Sequence, residues 1–432
     1  MTENRQNSSR VPYFRPEIGE DEISEAADAL RSGWLTTGPR VKRFEEEFAR
    51  AVGASHAVAL NSCTAALHLA VEALGLRADE AVLVPTMTFA ATAEIVRYLG
   101  GLPILVDCDA ETGNIDLADA SRKIASLRAG RLSKSFPAAT RVVGIIPVHV
   151  GGRMKDPSEV RAFAAREGLW VVEDAAHAFP AAWRPDAGSP WQRCGEKTAD
   201  VTCFSFYANK TITTGEGGMA VTEDAALADR MRLMSLHGLS RDAWERYSGG
   251  GWDYRIIAPG YKYNLTDLAA AIGIHQLRRS EEMRVRREQI AARYREALSP
   301  IEEIELPGEN SNRIDAWHLF PIRLRESRLS VDRNEFVDAL KAEGIGCSVH
   351  WRPLHLHPYY QETFGWSPAD CPVSSAEWKR LVSLPIFPAM RDDEIASVIE
   401  VVTSLCERFS KTSASRSRDM RVPEPELSEK LL

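Results

Sequence analysis

Lys210 closes an apolar stretch, Val201-Thr-Cys-Phe-Ser-Phe-Tyr-Ala-Asn-Lys210, that reads as a buried strand running into a turn. The glycine-rich run Thr213-Thr-Gly-Glu-Gly-Gly218 follows and lets backbone pack close to a ligand. A lysine so placed, with its amine pKa lowered by its surroundings, is a candidate nucleophile toward a carbonyl. Alone, a turn lysine is more often simply solvated, so its company decides.

A second apolar run, Leu169-Trp-Val-Val-Glu-Asp174-Ala-Ala-His177, ends in acid. A carboxylate buried at a strand tip is costly unless a cation meets it, and a protonated pyridine nitrogen would do so. Asp174 capping the following turn is an equal alternative on these residues alone. His177 could reach a cofactor ring or its phenolic oxygen, or serve as a structural hydrogen-bonding histidine. Asn61-Ser-Cys-Thr64-Ala65-Ala66-Leu67 marks a strand-to-helix junction where free N–H groups and the helix dipole attract an anion, although small residues opening a helix are common. Ser205 could add a hydroxyl there. Phe89, in Pro85-Thr-Met-Thr-Phe89-Ala-Ala-Thr92, could stack on a flat ring, or could be core. A lysine for an aldehyde, an acid for a pyridine nitrogen, donors for a phosphate dianion and a surface for a ring are the four needs of pyridoxal 5'-phosphate.

The elements that would position these residues are legible as short apolar runs alternating with helical patterns. Strands are expected at His56–Leu60, Ala81–Pro85, Pro103–Val106, Val142–Val148, Leu169–Glu173, Val201–Phe206 and Gly218–Thr222, mostly as continuous apolar runs suited to burial on both faces. Helices are expected at Glu20–Ser32, Val41–Val52, Thr64–Leu74, Thr92–Leu99 and Ser158–Glu167. The alternation predicts an α/β fold with a mainly parallel seven-stranded sheet flanked by helices, with its site at the carboxyl ends of the strands. Beyond the break at Gly249-Gly250-Gly251, a long helical pattern runs from about Asp267 to Leu298. An α+β segment follows, with strands at Trp317–Leu324 and Cys347–His350 and a helix at Arg333–Glu343. The division expected is a disordered tail at 1–10, a large cofactor-binding unit at 11–250, a linking helix with a small α+β unit at 251–410, and a disordered tail at 411–432.

Bulk properties exclude several classes. The 432 residues can bury more than one core. A net charge of −8 weakly opposes nucleic-acid binding. No apolar run approaches the roughly 18 residues of a membrane helix, and the polar start MTENRQNSSR lacks a signal-peptide core. The seven cysteines form no CxxC pair, which points away from a disulfide framework or zinc and toward the reducing cytoplasm. The cluster His350-Trp-Arg-Pro-Leu-His355-Leu-His357 is not expected to hold a metal, because Pro353 interrupts it; His350 could instead touch substrate.

Taken together, the chain resembles the DegT/DnrJ/EryC1/StrS family of sugar aminotransferases, which have the fold type I of pyridoxal-phosphate enzymes. The resemblance runs from about Arg15 to about Glu407. It rests on Gly33-Trp-Leu-Thr-Thr-Gly-Pro39, Ser62-Cys-Thr-Ala-Ala-Leu-His68, Glu173-Asp-Ala-Ala-His177, Phe204-Ser-Phe-Tyr-Ala-Asn-Lys210, Thr213-Thr-Gly-Glu-Gly-Gly218, Gly260-Tyr-Lys-Tyr-Asn-Leu-Thr-Asp267 and Pro353-Leu-His355. It implies Lys210 as the Schiff-base lysine, Asp174 as partner of the pyridine nitrogen, Phe89 as the stacking aromatic and His177 beside the ring. It implies Thr64, Ala65 and Ser205 as phosphate binders, with Asn264 arriving from the partner subunit of a homodimer. Cys63 departs from the glycine common in the family, and its Cβ could crowd the phosphate turn. The implied reaction moves an amino group from an amino acid, glutamate, to a nucleotide-linked keto sugar. The motifs GYKYNLTD and TITTGEGG resemble the branch acting at sugar C4. A dehydratase of the same fold would carry histidine in place of Lys210. A non-catalytic accessory member would have no need to keep Lys210, Asp174 and Ser205 together. The loops Arg184–Lys197 and His237–Trp252, with Trp183, Trp191, Trp244 and Trp252 in or beside them, either line the substrate cleft or pack the surface.

Overall fold

A computed structural model describes residues 10–133, 135–137, 139–240 and 254–411. The expected tails therefore fall almost wholly outside the described residues, as do the triple-glycine break, Trp244 and Trp252.

Two helices, α1 (Glu20–Ser32) and α2 (Pro39–Val52), precede an alternating series. That series is β1 (His56–Leu60), α3 (Cys63–Ala73), β2 (Glu80–Pro85), α4 (Ala91–Tyr98), β3 (Leu102–Val106), α5 (Leu117–Arg128), β4 (Arg141–Ile145), α6 (Pro157–Glu167), β5 (Trp170–Asp174), β6 (Val201–Ser205), β7 (Gly218–Thr222) and α7 (Ala225–Ser235). The seven strands form one sheet in the order β1-β7-β6-β5-β4-β2-β3. β2 to β6 pair in parallel, while β7 runs antiparallel to both of its neighbours. This is the mainly parallel sheet that the continuous apolar runs predict.

Both faces of the sheet are covered, and the two-residue period of a strand shows why. From β1, Val58 and Leu60 enter the core built with α3 to α7, whereas Ala57 and Ala59 enter the opposite core built with α2. From β6, Val201 and Cys203 face the first core and Phe204 the second. Within that second core Phe204 meets Phe48 edge-on at 5.1 Å.

The sheet's register sets up one end of the site. Leu60 of β1, Gly218 of β7 and Ser205 of β6 stand in one row. On the next strand along the same edge lies Asp174, the last residue of β5, paired with Cys203 of β6. The row explains Gly218: a Cβ there would come within 2.4 Å of the Ser62 carbonyl and 2.5 Å of the Cys63 nitrogen, so only glycine lets β7 pass under the start of α3.

The C-terminal part departs from expectation in three places. The single long helix expected over 267–298 is two, α8 (Asp267–Arg278) and α9 (Ser280–Leu298). Arg279 sits between them because its guanidinium is fixed to Glu17 at 3.0 Å and Glu22 at 2.7 Å, which ties the junction to α1. The strand expected from Trp317 starts later, as β9 (Phe320–Leu324), since Trp317 adopts a left-handed φ of 49°. The stretch expected as a strand at Cys347–His350 makes a single bridge, Ser348 to Ser383, before turning into the cavity wall. β8 (Ile304–Glu305), β9 and β10 (Leu381–Leu384) form a small antiparallel sheet with α10 (Arg333–Ala342) and α13 (Asp392–Phe409) packed on it, while α11 (Pro358–Phe364) and α12 (Pro372–Glu377) connect it to the large sheet. Val11 also belongs to this C-terminal core, donating to Gly344 and bridging Ile345 in parallel.

Asp267, the last residue of the GYKYNLTD motif, has a structural task. It is fully buried, and its two carboxylate oxygens accept the N–H groups of Val41 at 3.0 Å and Arg40 at 3.2 Å, so the start of α8 caps the start of α2. Asp267→Ala leaves two helix-terminal donors without a partner and should cost about 1–3 kcal/mol, read as a lowered urea midpoint with an unchanged slope.

Candidate active site

A cavity of about 530 Å³ opens at the carboxyl edge of the large sheet. It brings together Thr64, Phe89, Asp174, His177, Ser205 and Lys210, six of the eight residues singled out from the sequence. Ala65 lies behind the wall. Its N–H is already taken by the Ser62 hydroxyl at 3.1 Å, the N-cap of α3, so the free donors at this helix end belong to Cys63 and Thr64. Asn264 does not line this cavity; it bridges Leu60 and its amide donates to the Thr37 hydroxyl at 2.8 Å.

Asp174 is buried, and its oxygens accept only the Thr92 hydroxyl at 2.7 Å and the Ala176 N–H at 3.1 Å. Burial pushes its carboxyl up, while those two hydrogen bonds and the Lys210 charge oppose that. Burial pulls the Lys210 amine down to about 8, with Cys63 and Asp174 acting in the other direction. The Cys63 thiol is pushed well up by burial, so it faces the turn neutral.

His177 is likewise neutral, held well below its ordinary value by burial and by the Lys210 charge. Its Nδ1 accepts the Gly151 N–H at 3.3 Å, which leaves the proton on Nε2. The ring stacks on Trp351 at 5.1 Å and 19° and touches His318 at 4.1 Å. His350 also lines the cavity, lowered to about 4 by burial, and its Nδ1 meets the Ser383 hydroxyl at 2.9 Å.

His318 and Trp351 carry no sequence signal for this place. They come from the C-terminal unit, and the left-handed turn at Trp317 delivers His318 to the wall. Thr92 could have been read from the helix-opening Ala90-Ala91-Thr92, but its partner across the sheet could not. The loop 184–197 takes the packing role: none of its residues lines the cavity, and Arg184 instead covers the Trp191 ring at 4.3 Å and donates to Ser311.

The histidines of the HWRPLHLH segment diverge. His350 faces the cavity, His355 is buried between the hydroxyls of Thr86 at 2.7 Å and Ser375 at 2.8 Å, and His357 meets the Arg352 carbonyl at 3.2 Å. A different buried trio, His149, Glu173 and Cys194, brings ligand atoms within 4.8 Å of one another. There His149 Nδ1 accepts the Lys155 N–H at 3.1 Å, so the ring turns its Nε2–H, not a lone pair, toward Glu173 at 3.5 Å.

The cavity fits pyridoxal phosphate on its own chemistry. It offers a desolvated amine, a buried carboxylate with no protein cation in hydrogen-bond contact, and a helix N-terminus with free donors beside the Ser205 hydroxyl. The DegT/DnrJ/EryC1/StrS aminotransferase family model matches residues 16–403. The chain belongs to that family. It is 43% identical over 397 residues to the spore coat polysaccharide biosynthesis protein SpsC of Bacillus subtilis, covering 91% of this chain and 97% of that one. Among solved structures, Spr1654 of Streptococcus pneumoniae in its pyridoxamine phosphate form aligns with a TM-score of 0.81 at 29% identity, covering 92% of this chain and all of that one. The sugar aminotransferase CalS13 of Micromonospora echinospora aligns with a TM-score of 0.77 at 29% identity, covering 91% and 99%. The protein is thus a pyridoxal-phosphate-dependent aminotransferase of the sugar aminotransferase family.

The lowered Lys210 amine sets a pH dependence. Only the neutral amine attacks an aldehyde, so cofactor uptake by apoprotein should accelerate as pH rises toward about 8 and level off above it. Stopped-flow absorbance of the bound cofactor measures this. A midpoint at the ordinary lysine value of 10.5 would contradict the burial argument. Lys210→Ala should abolish both the visible absorbance and transamination.

Proposed function

We propose that this enzyme moves an amino group from glutamate to C4 of a nucleotide-linked keto sugar, making an amino sugar for a surface polysaccharide. The observation that carries the chemistry is the meeting of the buried Lys210 amine and the buried Asp174 carboxylate in one cavity beside the start of α3. The polysaccharide assignment draws on SpsC, named for spore coat polysaccharide biosynthesis. Glutamate and C4 follow from the family resemblance of the motifs.

In this reading Lys210 holds the cofactor covalently at rest. Bound pyridoxal phosphate supplies an electron sink for the pair left when the donor's Cα loses its proton. Lys210 would also be the acid and base that takes up and returns the proton of the donor's Cα. Asp174, kept from water and fixed by Thr92 and Ala176, holds the ring nitrogen protonated. Cys63, Thr64 and Ser205 receive the phosphate, and His177 offers its Nε2–H to the phenolic oxygen. Phe89 would cover the ring.

We further propose a homodimer in which Asn264 completes the neighbour's phosphate site. Ile256 and Ile257, 70% and 59% exposed shortly before it in the chain, supply apolar surface for such a contact. The cytoplasm is the proposed compartment, in keeping with seven free cysteines. No helix among the described residues is long and apolar enough to cross a membrane.

Two experiments test these statements. A panel of nucleotide-linked keto sugars assayed with glutamate should give turnover with a 4-keto substrate, with the product's new amine located by NMR. Amination only of free sugars, or only at another carbon, would overturn the substrate reading. For the dimer, mixing Lys210→Ala with Asn264→Ala subunits should recover activity that neither variant has alone. A hybrid contains one wild-type site, so random exchange gives about a quarter of wild-type activity. No recovery despite exchange would place Asn264 in its own subunit's site or in none.

A further inference from the structure

Each oxygen of the Asp174 carboxylate has one donor among the described residues, the Thr92 hydroxyl at 2.7 Å on Oδ2 and the Ala176 N–H at 3.1 Å on Oδ1. Thr92 stands in the first turn of α4, four residues after Thr88. Both threonines are fully buried, and their hydroxyls lie 2.7 Å apart. Neither hydroxyl caps α4, whose N-cap is Ala90.

A hydroxyl carries one hydrogen. Thr92 commits its own to Asp174, so toward Thr88 it can only accept. The series therefore has one direction, with Thr88 donating to Thr92 and Thr92 donating to the carboxylate. A protonated Asp174 would complete the same contacts only with every hydrogen reversed, its own O–H donating to Thr92 and Thr92 to Thr88. The Ala176 N–H on Oδ1 favours the first arrangement, because a donor is worth more to an anion. Hydroxyls in series also polarise one another, and the gain is larger away from water.

Burial works against the Asp174 charge, so these donors matter. Lys210 and His149 act in the same direction as the two hydrogen bonds. The nearby Cys63 and Cys203 thiols are kept protonated by burial. The segment that bears Thr88 is itself pinned. At its start the Thr86 carbonyl accepts the Leu354 N–H at 2.9 Å, and the Thr86 hydroxyl meets His355 Nδ1 at 2.7 Å. Phe89, between Thr88 and Thr92 in the chain, is thus held in register with the acid.

We propose that Thr92 and Thr88 are positioning residues of the aminotransferase site: their hydroxyls, in series, keep the Asp174 carboxylate ionised and aimed, and so keep a proton on the cofactor's ring nitrogen. The inference rests on Asp174 as the partner of that nitrogen, proposed above.

The test loads apoprotein with 4′-deoxypyridoxine phosphate, which has the ring and the phosphate but no aldehyde for Lys210. Its absorbance follows the proton on the bound ring nitrogen as pH is raised. In the wild type this proton should persist well above neutral pH. Thr92→Val should lower the pH at which it is lost by about one to two units, since a hydrogen bond to a charged group contributes a factor of about 10 to 100. Thr92→Ser should restore the wild-type midpoint. Thr88→Val should lower it by a smaller amount, and serves if Thr92→Val folds poorly. In the holoenzyme the donor half-reaction should slow in the same order. If both valine variants keep the wild-type midpoint, the hydroxyls contribute packing alone and the inference is overturned, while Asp174 keeps its assignment. A shift in Thr92→Val without one in Thr88→Val overturns the series, and a shift that Thr92→Ser does not reverse assigns the loss to packing and overturns it too. Asp174→Asn is the control: if the ring nitrogen keeps its proton there as well, the proposed partner of the nitrogen is itself wrong.

Discussion

At the tip of β5 a carboxylate has been taken out of water with only a hydroxyl and one N–H to replace the solvent. Isolated, such a charge would be expelled or neutralised. Asp174 stays because the surrounding fold is arranged on its account. The sheet order puts β4 and β6 on either side of it, so no flexible edge is near. The Thr88 hydroxyl meets that of Thr92 at 2.7 Å, and Thr92 donates to Asp174, which makes a short buried relay from the loop after β2. Its neighbour Glu173 points to the opposite face by the period of the strand, where Thr202 and His149 meet it. Burial opposes that charge as well, but these contacts outweigh it and hold Glu173 below its ordinary value. Adjacent acids thus differ: Glu173 is satisfied within the protein, whereas Asp174 has no cation in hydrogen-bond contact among the described residues.

The same low dielectric acts on the bases. Lys210 loses part of its hold on a proton, and His177, His318 and His350 lose nearly all of theirs, so the cavity contains neutral imidazoles next to one nucleophilic amine. The imidazoles therefore work as hydrogen-bond donors and flat surfaces. They do not compete with Lys210 as charged groups.

How much of this could be read from the residues depends on the distance over which each signal acts. The strands of the sheet are continuous apolar runs, and β1 and β7 fall where the runs begin and end. Lys210, Asp174, Thr64 and Ser205 sit at the ends of such runs, where an α/β sheet places its ligands. The helix α5 is absent from the expectation although Asp116 caps it and Leu117, Ala120, Ile124 and Leu127 repeat at helical spacing, because Asp119 and Lys123 are buried on the same face and interrupt the apolar stripe. The C-terminal unit was harder for a different reason. Its contributions to the cavity, His318 and Trp351, depend on a left-handed turn at Trp317 and on how the unit is docked. Docking is set by remote contacts: Asp107 accepting the N–H groups of Val373 and Ser374 at 2.8 Å, Leu354 donating to the Thr86 carbonyl at 2.9 Å, and buried Arg287 donating to the carbonyls of Trp317 and Ile386. No local pattern announces contacts of that range.

The pairing of Val11 with Gly344 and Ile345 closes a loop of more than 330 residues. During synthesis the segment around Val11 leaves the ribosome well before the residues it bridges and the helix α13 of the same core. The small core therefore cannot reach its final packing until the chain has emerged through α13, whereas the sheet from β1 to β7 can assemble earlier. Closing so long a loop slows a folding step more than it weakens the final state. For a time the nascent protein holds a formed large sheet whose cavity still lacks the wall bearing His318 and Trp351.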